Sequence, residues 1–227
     1  MRPWLPMRVA DLHAQRPHGL EDDVHFVESL VSAVIDEYTA RGQRILDPFA
    51  GYGTTLVVAE RMHRSAVGVE LLPSRVKYIR SRLAGDAEVI LGDARNLTSL
   101  VSGRFDLCIT SPPYMTATDH PENPLTAYET DDGEYATYLS ELGDVFRQVG
   151  LLLRPEGHVI INVANLETGT TITPLAWDLA RIVGAHLTLR QEIFLCWDEQ
   201  PPGITGDYCL VFQVPAVPYE TTNRPAE

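Results

Sequence analysis

Lysine is almost absent from this chain: Lys77 is the only one in 227 residues. Lys and Arg together number 18 against 31 Asp and Glu, for a formal net charge of −13. A protein that grips naked duplex on its own presents a basic face, because phosphate neutralisation dominates nucleic-acid affinity. That deficit leaves two readings open. Either arginine has replaced lysine on an acidic, solubilising surface, or the substrate is not naked duplex and a basic partner supplies the grip. Long apolar runs are missing as well, and none approaches the roughly 18 residues of a membrane span. The opening stretch "MRPWLPMRVADLHAQRPHG" has no apolar signal core, so the expected setting is soluble and cytoplasmic. Cysteine is scarce and odd in number. Cys108, Cys196 and Cys209 fall in apolar strand-like runs without a CxxC pair, which suits buried free thiols better than a metal site. The seven histidines form no i,i+4 pair, and there is neither a repeat nor a low-complexity tract.

What is present is a core-forming pattern, with 44% hydrophobic residues in a length that suits one domain. Residues 24–40 place Phe26, Val27, Leu30, Val31, Val34 and Ile35 at helical spacing. Then "RILD", "SAVGVE", "AEVILGD", "RFDLCITS" and "HVIINVAN" read as strands. Helices are predicted between them over 54–63, over 73–84 with Pro73 in the first turn, and over 142–153 before a turn at "RPEG". A helix over 173–185, with Trp177 in its core face, precedes two last strands, "TLRQEIFLCW" and "DYCLVFQVP". Trp197 likewise reads as core. This alternation specifies an α/β, doubly wound, mostly parallel sheet of seven strands closed by an antiparallel C-terminal hairpin. Residues 1–20 read as an N-terminal arm, 21–218 as one domain and 219–227 as a flexible tail. The acidic stretch 115–135, with six acids and no basic residue, reads as a rim or lid over a substrate pocket.

Ligands of such sheets bind beyond the carboxyl ends of the strands, and several polar residues fall there. In "LDPFAGYGTT" Gly51 and Gly53 allow backbone angles and a close approach that a Cβ forbids. Glu70 ends the next strand 17 residues after Gly53, near the spacing at which an acid accepts from ribose hydroxyls. Asp93 ends the third strand, where it can take an adenine amino group or cap the following turn. No lysine follows the glycines, which disfavours a P-loop. After "RFDLCIT" comes "SPPY", 111–114, whose tandem prolines must stop the strand.

"DPFAGYGTT" followed by "TSPPY" resembles the S-adenosylmethionine-dependent amino-methyltransferases of the DNA (cytosine-N4/adenine-N6) methylase type. The resemblance implies a Rossmann-like class I methyltransferase fold, with S-adenosylmethionine as cofactor and nucleic acid as substrate. It assigns Asp47, Pro48, Phe49, Gly51, Gly53, Thr54, Glu70, Leu71, Asp93 and Ala94 to cofactor binding, and Ser111, Pro112, Pro113 and Tyr114 to catalysis. An exocyclic amine is a poor nucleophile because its lone pair is delocalised into the ring. Acceptors at Ser111 Oγ and the Pro112 carbonyl would localise that pair, and Tyr114 would stack on the base. The Ser form of this loop favours cytosine N4, although the cofactor loop precedes it here, opposite to many such enzymes. Two other classes stay open: an amino-methyltransferase for a small molecule or protein amide, and a non-catalytic cofactor-binding module. Intact Ser111 and Tyr114 speak against the last.

Overall fold

The computed structural model describes residues 1–16, 26–117, 122–127 and 133–216. The predicted domain boundary at 20/21 and the tail at 219–227 lie outside them. Strands β2 (Arg44–Asp47), β3 (Ser65–Glu70), β4 (Glu88–Leu91), β5 (Phe105–Thr110) and β6 (Leu153–Thr168) pair in parallel in the order β6-β5-β2-β3-β4. Apolar runs such as "AVGV" suit this layer because helices cover both of its faces. On one side pack α2 (Glu28–Tyr38), α3 (Thr54–Arg61) and α4 (Pro73–Arg82), through Val31, Ile35, Leu56 and Ile79. On the other side a single-turn α5 (Leu97–Leu100), α6 (Tyr135–Leu152) and α7 (Leu175–Val183) bury Leu142, Phe146 and Leu179. The hairpin β8 (Thr188–Trp197)–β9 (Ile204–Gln213) inserts β9 against β6, antiparallel to both its neighbours. The doubly wound sheet with its closing antiparallel hairpin is therefore as the alternating pattern implies.

Four features differ from the sequence reading. The sheet has nine strands rather than seven. One of the extra two is β7 (Thr171–Thr173), which folds back on β6. The other is β1 (Trp4–Met7), so the first residues are not a free arm: β1 lies along β8, with Trp4 opposite Phe194 and Met7 opposite Trp197. A short α1 (Val9–Ala14) follows it and buries Leu12. Helix α6 starts seven residues earlier than its apolar spacing suggested, at Tyr135. "RPEG" is no interruption but a bulge within β6, where the register against β5 shifts and Glu156 adopts φ 62°. Finally, Trp177 is 43% exposed rather than core.

Candidate active site

The carboxyl ends of β2 to β5, with the middle of β6, open on one cavity of about 440 Å3. The loop after β2 enters it at Pro48, Phe49, Gly51 and Thr54, the end of β3 at Glu70 and Leu71, and the end of β4 at Asp93 and Ala94. The complete Ser111–Tyr114 loop after β5 forms the opposite wall. Twelve of the fourteen residues singled out in the sequence thus face one space, and Asp47 and Gly53 do not.

Gly53 caps α3 at φ 80°, and a Cβ on it would stand 2.9 Å from Ile79 of α4. Its bareness serves helix packing, not ligand approach. Gly51, at φ 55°, lines the cavity, and an added Cβ there would meet nothing nearer than 3.9 Å. Asp47 turns beneath the loop, 1% exposed. Its Oδ1 accepts from Thr110 Oγ1 at 2.7 Å and from the Phe49 amide at 3.1 Å. Burial pushes its pKa up to about 6 against these hydrogen bonds. The Thr55 hydroxyl faces it as well, yet among the described residues neither Thr55 Oγ1 nor Asp47 Oδ2 completes a hydrogen bond.

Glu70 is held rigidly by the two loops it joins. Its Oε2 accepts from the Gly51 amide and its Oε1 from the Leu72 amide, each at 2.9 Å. Burial raises its pKa, while these backbone donors and the nearby Arg75 oppose the rise. Asp93 does what a cap does: Oδ1 accepts from the Arg95 amide at 2.9 Å. Both its oxygens also take the Arg95 guanidinium, which bridges to Glu141 at 2.9 Å. An adenine amino group would have to share these oxygens.

On the opposite wall the Ser111–Tyr114 loop is pinned from behind. Tyr138 of α6 donates its hydroxyl to the Pro113 carbonyl at 2.7 Å. Ser111 Oγ lies 3.4 Å from the Tyr114 hydroxyl, which points to the Asn162 carbonyl at 3.5 Å. Burial raises the Tyr114 pKa far above that of a free phenol, so the ring stays neutral. Among the described residues no donor reaches the Pro112 carbonyl, which leaves it available to a ligand.

Sequence reasoning missed several wall residues, among them Phe26, Tyr52, Arg75, Pro124, Leu125 and Asn162. Pro124 and Leu125 belong to the acidic 115–135 stretch, of which 118–121 and 128–132 lie outside the described residues. Buried Asn123 anchors that turn, accepting from the Leu125 amide at 3.0 Å and donating to Glu141 at 3.1 Å. For Asn162 a signal existed: it is a polar residue in the middle of an apolar strand, and buried polar groups are the informative ones. Its amide nitrogen donates to buried Asp207 at 2.7 Å, and Asp207 also accepts from the Trp197 indole at 2.9 Å.

Comparison with known proteins fits this geometry. A protein-family model described as DNA methylase matches residues 8–81. The chain is 41% identical over 61 residues to the Type II methyltransferase M2.DpnII of Streptococcus pneumoniae, covering 27% of this chain and 23% of that protein. It is 30% identical over 123 residues to a tRNA (guanine(10)-N2)-dimethyltransferase of Methanothermobacter thermautotrophicus, covering 52% and 34%. Identity is again 30%, over 153 residues, to a release factor glutamine methyltransferase of Streptomyces coelicolor, covering 63% and 54%. The matched part therefore spans between 23% and 54% of these relatives' own lengths. Among solved structures, TrmN from Thermus thermophilus superposes with a TM-score of 0.62 at 20% identity, over 83% of this chain and 49% of that one. A methyltransferase from Pyrococcus furiosus gives 0.57 at 15% identity, over 91% and 95%. The fold is the class I methyltransferase fold, and over residues 8–81 the chain is similar to the DNA methylase family.

Proposed function

We propose that this chain is an S-adenosylmethionine-dependent N-methyltransferase that modifies the exocyclic amine of a nucleobase in DNA or RNA. The observation that carries the reading is the pairing of two walls in one cavity. A buried carboxylate, Glu70, sits beside the bare Gly51 on one wall, and two fixed acceptors stand on the other. The first wall fits the cofactor's ribose: its hydroxyls would donate to Glu70, and Gly51 leaves room for close approach. Bound there, S-adenosylmethionine supplies an electrophilic methyl group.

The chain's own residues do the rest. Ser111 Oγ and the Pro112 carbonyl accept the two amine hydrogens, drawing the nitrogen toward a pyramidal form with a localised lone pair. Their directions are set in advance, by the prolines and by the Tyr138 hydroxyl behind them, so little reorganisation is needed in the transition state. The Tyr114 ring offers an aromatic wall against which a base rests. An acidic surface suits a base already exposed, in single-stranded or structured nucleic acid, or one presented by a basic partner protein.

A second reading rests on the release factor glutamine methyltransferase, whose alignment covers the largest share of this chain among the curated relatives described above. On that reading the amine is a protein side-chain amide. Tritium transfer from labelled S-adenosylmethionine to separated pools of DNA, RNA, protein and small metabolites decides between them. Label in nucleic acid that disappears in Ser111→Ala is the expected result. Label confined to protein would replace the first reading by the second.

A further inference from the structure

Asn162 reaches the cavity from the middle of β6, one residue beyond the partner of Thr110 at the end of β5. Its main-chain carbonyl lies 3.5 Å from the Tyr114 hydroxyl, itself 3.4 Å from Ser111 Oγ. Its side-chain amide cannot turn over. Nδ2 is spent on two acceptors, Asp207 Oδ1 at 2.7 Å and the Tyr208 carbonyl at 3.1 Å. A flipped amide would set oxygen against both. Asp207 is held in turn by the Trp197 indole. The amide oxygen, with its direction thus settled, has no hydrogen-bond donor among the described residues, and it is not a sealed buried atom. Asn162 lines the cavity, and with its main-chain carbonyl facing the Tyr114 hydroxyl, this amide oxygen is the unpartnered acceptor that the residue has to offer there.

We propose that Asn162 determines which base the site takes: its amide oxygen accepts from a ring N–H adjacent to the reacting amine, as in the N1–H and N2 amino group of guanine. The inference rests on the nucleobase reading above and departs from the cytosine N4 implied by the Ser form of the loop. Adenine N6 is flanked by ring lone pairs at N1 and N7, and cytosine N4 by the lone pair of N3 and a C–H. Neither offers an N–H beside its amine. Either would leave the amide oxygen facing a lone pair or an apolar hydrogen, and a site built to meet a donor discriminates against a ligand that lacks it.

The test compares single-stranded oligonucleotides containing guanine or 2-aminopurine, which keeps the amino group at C2 but has a lone pair at N1. The parental enzyme should prefer guanine in kcat/KM by about tenfold or more. Asn162→Leu should bring that ratio close to one while S-adenosylmethionine affinity stays at the parental value. A purely structural Asn162 would lower both rates together and leave the ratio alone, which would overturn the proposal. Should the Leu variant fail to fold, the parental comparison still decides: equal rates on the two bases, or label found in adenine or cytosine instead, sinks the guanine assignment while leaving nucleobase methylation intact. Absence of label from every nucleic acid would remove both.

Discussion

Two residues singled out in the sequence show how similar signals part company in the fold. Glu70 and Gly53 both belong to the expected ribose-binding pattern, yet only Glu70 meets the cavity. Glu70→Ala should weaken S-adenosylmethionine binding by roughly 1.5–3 kcal/mol, the range for hydrogen bonds to a charged group. Calorimetry is the check, and parental affinity would remove Glu70 from the pocket. The loss would include some loosening of the loop, because the Gly51 and Leu72 amides also lose their acceptor. Gly53→Val should act differently. A valine there would be strained at φ 80° and would press on Ile79, at a cost of about 1–3 kcal/mol in fold stability. A lowered melting temperature, with cofactor affinity retained in the folded fraction, separates the two roles.

At the scale of elements, what was legible follows from what a local pattern can encode. Apolar runs ending in acids placed "RILD" and "SAVGVE" to the residue, because a buried parallel strand is nearly continuous in apolar character. The motif residues could be grouped because strand ends in this fold share one edge. What could not be read depended on partners distant in sequence. Trp4–Met7 becomes a strand only because β8 offers it an edge. Asp47 turns away from the cavity because Thr110, one strand over, takes its carboxylate. The first two turns of α6, "YATYLSE", carry no clean apolar stripe and are fixed by tertiary contact. They matter to function, since Tyr138 lies in them and holds the Pro113 carbonyl. Tyr138→Phe should therefore lower the single-turnover methylation rate by about ten- to a hundredfold through misplacement of the loop. Cofactor affinity should not change. An unchanged rate would show that the prolines alone hold the acceptors.

For the whole molecule the governing quantity is charge, and two of the acids contributing to the net −13 are buried at the sheet edge. Asp47 and Asp207 each have a pKa pushed up to about 6 by burial. A carboxyl whose folded pKa exceeds its unfolded value near 4 binds more protons in the native state between those two values. Folding stability then falls as pH rises from about 4 to about 6, and the loss is complete above that window. For Asp47 the rise from near 4 to about 6 corresponds to about 3 kcal/mol at neutral pH. Asp47→Asn tests this with little change of shape. The amide oxygen keeps the Thr110 and Phe49 donors, and the new NH2 group stands where Oδ2 faced Thr55 Oγ1 without a hydrogen bond, so it can donate there. The variant should match the parent in urea unfolding at pH 4.5 and exceed it at pH 7.5, with a shallower slope between. Parallel stability curves across that range would mean that Asp47 titrates like an exposed carboxylate, and that the sheet edge tolerates its charge through water reaching the loop.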